Sequence, residues 1–234
     1  MKGTKNGLQT IHRPDDIPDI KKYGLLIIFG ALTSVAIQRK FEIDTLIGGF
    51  FIAGLLLFIL YRDILRYKPQ YMRKFNMLTL LGIMIVSTIL LGRGFNYVLL
   101  HFSKGMGSIS EAGAVFGMPI PAGAMLVALL FDFHTAIVFS FIVSLLTGLW
   151  LHDAVYPLYV FVGSLTAAFS VIRCKKRSAI LKGGLYVTSA NIITAIILLL
   201  FQGEIFTTKA VSAVIFAISA GISVTAIVSI ILPV

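Results

Sequence analysis

Hydrophobic residues along this chain run in long blocks, and the polar residues gather between them. Eight apolar blocks can be traced: Gly24–Gln38, Thr45–Tyr61, Met77–Leu91, Pro119–Phe131, Thr135–Trp150, Val155–Ile172, Gly183–Phe201 and Ala210–Leu232. A helix needs roughly 20 apolar residues to cross a ~30 Å hydrocarbon slab, a length these blocks reach or approach. Backbone amides inside lipid must be bonded within the protein, which leaves helices or a closed barrel. A barrel predicts strict polar–apolar alternation. Ile192–Phe201 (IITAIILLLF) shows none, which selects helices. The expected fold is all-α: a polytopic transmembrane helix bundle of about eight short spans, one plus seven.

The blocks differ in strength. The first holds Gly30, Thr33 and Ser34, and the fourth and fifth meet at Asp132-Phe133-His134, so these two must borrow flanking residues or run nearly upright. Met1–Lys22 is polar, with Pro14 and Pro18 marking turns. It lacks the basic region, apolar stretch and cleavage site of a signal peptide, so it is expected to be retained. The expected organisation is a tail at 1–22, a first span at 23–38, a short outer link at 39–44 and a seven-span domain at 45–234.

Composition agrees with the pattern. Hydrophobic residues make up 58% and charged residues 13%, with a mean hydropathy of +0.95. A soluble domain is about a quarter charged and cannot hide this much apolar surface in one core. Charge then sets direction. Lys2, Lys5, Arg13, Lys21 and Lys22 precede the first span. Arg62, Arg66, Lys68, Arg73 and Lys74 follow the second, and Arg173, Lys175, Lys176, Arg177 and Lys182 follow the sixth. Arg39, Lys40, Arg93, Lys104 and Lys209 fall on the other side, a split of fifteen to five. Basic loops stay in the cytoplasm, so both termini are expected there. The net charge of +10 therefore points to anionic lipid headgroups at the basic loops, each cation contributing roughly 1 kcal/mol, and not to nucleic acid.

Chemistry-bearing motifs are sparse. Cys174 is the only cysteine, so no disulfide framework or multi-cysteine metal site can form. No Gly-rich phosphate loop is present. None of His12, His101, His134 and His152 lies within four residues of another, so no helical metal pair forms. His152-Asp153 is a literal His-Asp dyad, but it sits in a short turn between spans, without the further histidines and distant aspartate that an HD hydrolase requires. No catalytic residue, metal or cofactor is expected in these residues.

Polar residues inside the membrane are costly and point better to function. Asn191 lies within the seventh span, where its amide serves either an interhelical hydrogen bond or a ligand. Arg93 and Asn96 stand where the third span leaves the membrane, followed by Tyr97 and His101: either a snorkelling arginine with an aromatic belt, or the rim of an outward-facing pocket. Arg93, Asn96 and Asn191 are thus the candidate ligand-binding residues. Asp132 is expected to cap the next helix, and Pro121 to shape the turn at the other end of the fourth segment. Ser103–Gly117, with Glu111, reads as a flexible outer loop. Ala122-Gly123-Ala124, Gly163 with Ala167-Ala168, and Ser219-Ala220-Gly221 offer small-residue faces for close helix packing.

The stretch Ile120–Asp132 (IPAGAMLVALLFD), followed by an apolar run into Leu145-Leu146-Thr147-Gly148, resembles the central signature of the bacterial seven-transmembrane receptors with an HD hydrolase domain. Gly163, Arg177, Gly184 and Asn191 also fit, and the resemblance runs from about Thr45 to the C-terminus. It implies a first span, an extracytoplasmic sensor domain, seven further spans and a cytoplasmic HD phosphohydrolase that cleaves cyclic di-AMP. Here only Arg39–Asp44 stand where the sensor domain would be, and the chain ends at Val234 where the hydrolase would begin. The family's metal ligands therefore have no counterpart in these residues.

The expected function is that of the membrane-embedded sensory region of such a receptor, in a bacterial inner membrane. Its partners would be the bilayer and a cytoplasmic HD domain, and an oligomer is compatible with the sequence. The alternatives are a substrate-binding membrane subunit of a vitamin-type transporter, and a membrane scaffold with no ligand.

Overall fold

The computed structural model of the protein describes residues 19–39, 42–67, 75–106, 110–172 and 177–232. They form eight α-helices: α1 Asp19–Ile37, α2 Ile43–Tyr67, α3 Phe75–Met106, α4 Pro121–Leu130, α5 Phe133–Leu151, α6 Tyr156–Ser170, α7 Arg177–Gln202 and α8 Thr208–Ile231. A 3-10 segment, Glu111–Gly117, precedes α4. No strand occurs among the described residues. Each apolar block of the sequence lies on one of these helices, and six segments are long and apolar enough to cross a membrane. Lys22–Ile37 and Tyr156–Ser170 are shorter apolar helices. This is a multi-pass helical membrane protein.

Successive helices run antiparallel. Ser34 Oγ of α1 donates to the Leu46 carbonyl of α2 at 2.8 Å. Tyr23, near the start of α1, meets Tyr61, late in α2. Phe133 and Phe141 of α5 stack edge-on against Phe169 and Phe161 of α6. Alternation through eight helices brings the start of α1 and the finish of α8 to one end, called the near end below; the α1–α2 link marks the far end. At the near end His134 Nε2 lies 2.9 Å from Asp63 Oδ2, joining α2 to the α4–α5 turn. Tyr67 stacks on the same imidazole.

Two helix groups share the bundle. α1 and α2 pack on each other, α4 to α8 with the 3-10 segment form the larger group, and α3 joins the two, packing on α1 and on the 3-10 segment, α4 and α5. The 3-10 segment, α4 and α5 are the most enclosed elements, whereas α2 and α8 turn much of their surface outward. Phe51, Leu55, Phe58 and Ile59 of α2 lie on that outer surface, as do Ile215, Ile222 and Ile230 of α8. Such a surface suits hydrocarbon as its solvent.

Two sequence expectations are corrected. The third helix does not stop near Leu91: it continues to Met106, 32 residues in all, and at 1.5 Å per residue reaches roughly 48 Å. Arg93, Asn96, Tyr97 and His101 thus belong to one unbroken helix. Nor do the described parts of Ser103–Gly117 form a flexible loop: Ser103–Met106 close α3. Farther along, Glu111–Gly117 is a 3-10 helix with Gly113, Ala114, Phe116 and Gly117 buried. Its small residues serve close packing: a Cβ on Gly113 would lie 3.0 Å from the Ala213 backbone nitrogen of α8. The fourth crossing is consequently a broken helix, Glu111–Leu130, because α4 alone has ten residues and rises only ~15 Å.

Candidate functional site

The break between the 3-10 segment and α4 is set locally by Gly117, Pro119 and Pro121. Proline supplies no N–H, and its ring clashes with a preceding helical turn, so a helix cannot run continuously through Met118–Pro121. Pro121 instead takes the first turn of α4, where its missing donor costs nothing. Ala122 N–H and Gly123 N–H donate to the Pro119 and Ile120 carbonyls at 3.1 Å each, which closes the junction with short-range bonds.

Four helices enclose this junction. From α6, the Tyr159 hydroxyl donates to the Phe116 carbonyl at 2.6 Å, in a fully buried bond. From α8, Phe216 packs on Gly117. On α3, Gly92 packs against Ile120 and Leu99 against Gly117. Asn96 stands between those two contacts on the same helical face, so its side chain is turned toward Gly117–Ile120. From α7, Asn191 meets Pro121 and α6 at one point: a Cβ on Gly163 would lie 2.5 Å from Asn191 Oδ1 and 3.1 Å from Pro121 Cγ.

These two asparagines, like Thr33, Gln38 and Ser164, carry buried side-chain atoms without a partner, unlike the buried hydroxyls that are satisfied within their own helix. Thr88, Ser140, Thr147 and Thr194 each donate to a carbonyl four residues back in their own helix. A hydroxyl can be satisfied this way without any neighbour. Asn191 is completely buried, and neither amide atom has a partner. Asn96 is 8% exposed, with Oδ1 unpaired. Unsatisfied buried polar groups are rare in native proteins, and each calls for an explanation.

Arg93 has a different setting. Its Nη1 donates to the Ala36 carbonyl at 2.5 Å, in the last turn of α1. A cation there meets the negative end of the α1 dipole. The candidate residues therefore divide: Asn96 and Asn191 approach the same helix break from α3 and α7, whereas Arg93 ties α3 to α1. Asp132, at the other end of α4, caps α5, its Oδ1 accepting the Thr135 N–H at 2.7 Å. His152 is the left-handed C-cap of α5 with φ 55°, and Asp153 Oδ1 accepts the Val155 N–H at 2.8 Å. The His-Asp dyad thus shapes a turn. Among the described residues, no three His, Cys, Asp or Glu side chains gather into a metal-sized cluster.

Sequence reasoning singled out both asparagines but missed the junction that unites them. The available signal was the spacing Gly117-x-Pro119-x-Pro121, with the apolar residues Ala114, Val115 and Phe116 just upstream.

A family model described as a 7TM receptor with intracellular HD hydrolase matches residues 43–234, most of the chain. The match begins at the first residue of α2 and so takes in α2 to α8, seven helices, leaving α1 outside. No curated protein and no solved structure is significantly similar to the chain.

Proposed function

The chain belongs to the family of seven-transmembrane receptors with an intracellular HD hydrolase, and from that premise we propose that it senses a signal at the membrane and sets the activity of a hydrolase acting on cyclic di-AMP. In this reading the protein lies in a bacterial cell membrane with its near end in the cytoplasm. The basic residues support that direction: Arg62, Arg66 and Lys182 belong to near-end segments, and the sequence assigns fifteen of the twenty cations to connections of that side. The region 45–234 is the seven-span unit, α1 an additional span, and the hydrolase a domain or partner at the near end.

One observation carries the mechanism: the broken fourth crossing, enclosed at the bundle centre, is flanked by the unpaired amides of Asn96 and Asn191. Non-helical backbone at membrane depth is tolerated where protein buries it, and discontinuous helices of this kind recur at membrane binding sites. An amide without a partner in one packing is available to a second packing, or to a ligand. A ligand that favours one arrangement of the break shifts the population of α7 and α8, and α8 leads toward the near end. The transporter reading is not favoured by the family match. The test is hydrolysis of cyclic di-AMP by native membranes carrying the protein together with its HD domain or HD partner. Signal-dependent hydrolysis that is lost in Asn191→Leu supports the proposal; hydrolysis indifferent to both asparagines contradicts it.

A further inference from the structure

Toward the near end, α6 and α7 meet closely on their inner side and leave a cleft on their outer side. On the inner side, a Cβ on Gly183 of α7 would lie 2.8 Å from Ser170 Oγ of α6 and 2.7 Å from Met125 Cε of α4. The cleft has a volume of about 880 Å³ and is lined by Thr166, Phe169, Ser170 and Ile172 from the end of α6 and by Tyr186 of α7. Thr166 and Ser170 donate their hydroxyls to the Val162 and Ala167 carbonyls of their own helix, at 2.8 Å each. Phe169 forms an apolar wall, held from behind by the edge-on ring of Phe133.

Phe169, Ile172 and Tyr186 are exposed, so the cleft opens sideways onto the surface that hydrocarbon covers. Water does not fill a groove at that depth, and acyl chain does. The Tyr186 hydroxyl has no partner among the described residues. Helical side chains lean toward the start of their helix, so Tyr186 leans toward the near end, over the turn that carries Lys182. Lys182 is exposed and also has no partner among the described residues. Its stem can follow the apolar wall while its ammonium reaches the headgroup level. Between Asp153 and Glu204 the sequence holds five cations and no acidic side chain, so the near half of the α6–α7 hairpin carries positive charge alone. At the same end the carboxylates of Asp63 and Asp132 are engaged, by His134 and by the Thr135 N–H.

We infer that this cleft is a binding site for an anionic phospholipid of the near-end leaflet. One acyl chain lies along Phe169, Ile172 and the Thr166 turn, and the phosphate meets Lys182 and the Tyr186 hydroxyl. Both parts of the site select this occupant. A choline lipid fills the groove equally well but brings a cation of its own to a positive mouth. A soluble phosphate finds the charge and has no use for the apolar wall. Basic pockets between membrane helices on one face are a recurrent form of lipid recognition.

The bound lipid braces α6 against α7, the helix that carries Asn191, but its binding does not rest on the receptor reading. The experiment is thermal unfolding of the purified full chain in phosphatidylcholine nanodiscs with increasing phosphatidylglycerol, alongside native mass spectrometry of retained lipid. Phosphatidylglycerol should raise the unfolding midpoint and stay bound as a discrete adduct. Lys182→Gln and Tyr186→Phe should each weaken that adduct about fivefold. Thr166→Phe, which fills the groove, should abolish it without lowering the midpoint in pure phosphatidylcholine. Lys104→Gln removes one cation from the far end and should leave the adduct unchanged. Equal responses to the two lipids overturn the inference. So does a preference for phosphatidylglycerol that survives all three cleft variants, which would assign it to the basic connections at large. Equal stabilisation by free sn-glycerol 3-phosphate overturns it as well, because the occupant would then be a soluble phosphate.

Discussion

Arg93 Nη1 and the Ala36 carbonyl, 57 positions apart in the chain, meet at 2.5 Å and fasten α3 to the last turn of α1. Ala36 is 3% exposed, so its carbonyl has little access to water. Hydrogen bonds to charged groups contribute about 1.5–3 kcal/mol net. Arg93→Leu is therefore expected to destabilise the bundle by roughly 1–3 kcal/mol, while Arg93→Lys, which keeps the charge but loses the planar fork, recovers only part of it. Thermal unfolding of the two variants in detergent checks this order.

Asn191 calls for the opposite outcome. An unpaired buried amide costs about 1–3 kcal/mol, so Asn191→Leu should hold or raise stability. Loss of stability would show that the amide is a packing bond after all. Gly163→Ala instead places a methyl 2.5 Å from Asn191 Oδ1 and 3.1 Å from Pro121 Cγ. Overpacking of this kind costs about 1–3 kcal/mol, and that loss should shrink when Asn191→Ala is added. Unfolding midpoints of the single and double variants decide the point.

The last two helices interlock through reciprocal contacts. A Cβ on Gly184 of α7 would collide with Thr225 Oγ1 of α8, and one on Gly221 of α8 with Thr188 Oγ1 of α7. Glycine and threonine stand four residues apart on each helix, so both contacts lie on one shared face. Close approach through small residues is how helices associate in lipid, where apolar side chains gain nothing by leaving the solvent. Gly184→Ala and Gly221→Ala should each cost about 1–3 kcal/mol. Thr225→Ala should rescue the first and not the second; a double-mutant cycle on unfolding midpoints reads this directly.

Much of the architecture was legible in the sequence because lipid imposes one rule on every segment. The eight apolar blocks correspond one to one with α1–α8, and the weak fourth and fifth blocks are separated at Asp132, which caps the start of α5. What escaped reading depends on tertiary neighbours. Gly113, Ala114 and Gly117 look like loop residues in isolation, and become a packed 3-10 segment only because Ser212, Ala213 and Phe216 of α8 press on them. The extension of α3 to Met106 was hidden for a related reason: Arg93, Asn96 and His101 read as an exit from the membrane, whereas α1 and the helix break supply the contacts of the first two. Asn96 and Asn191 could be named from their types and positions. Their convergence on one junction could not, since it depends on how α3 and α7 are placed about α4.

The whole account rests on alternating crossings that gather the basic segments at one membrane face, where an effector would act. Single cysteines at Arg66, Lys182 and Lys209, each in a Cys174→Ser background, test it with a membrane-impermeant maleimide applied to intact cells. Lys209→Cys should label directly, and Arg66→Cys and Lys182→Cys only after permeabilisation. Labelling of Arg66→Cys and Lys182→Cys from opposite sides would contradict the eight-crossing arrangement and remove the route to a cytoplasmic hydrolase.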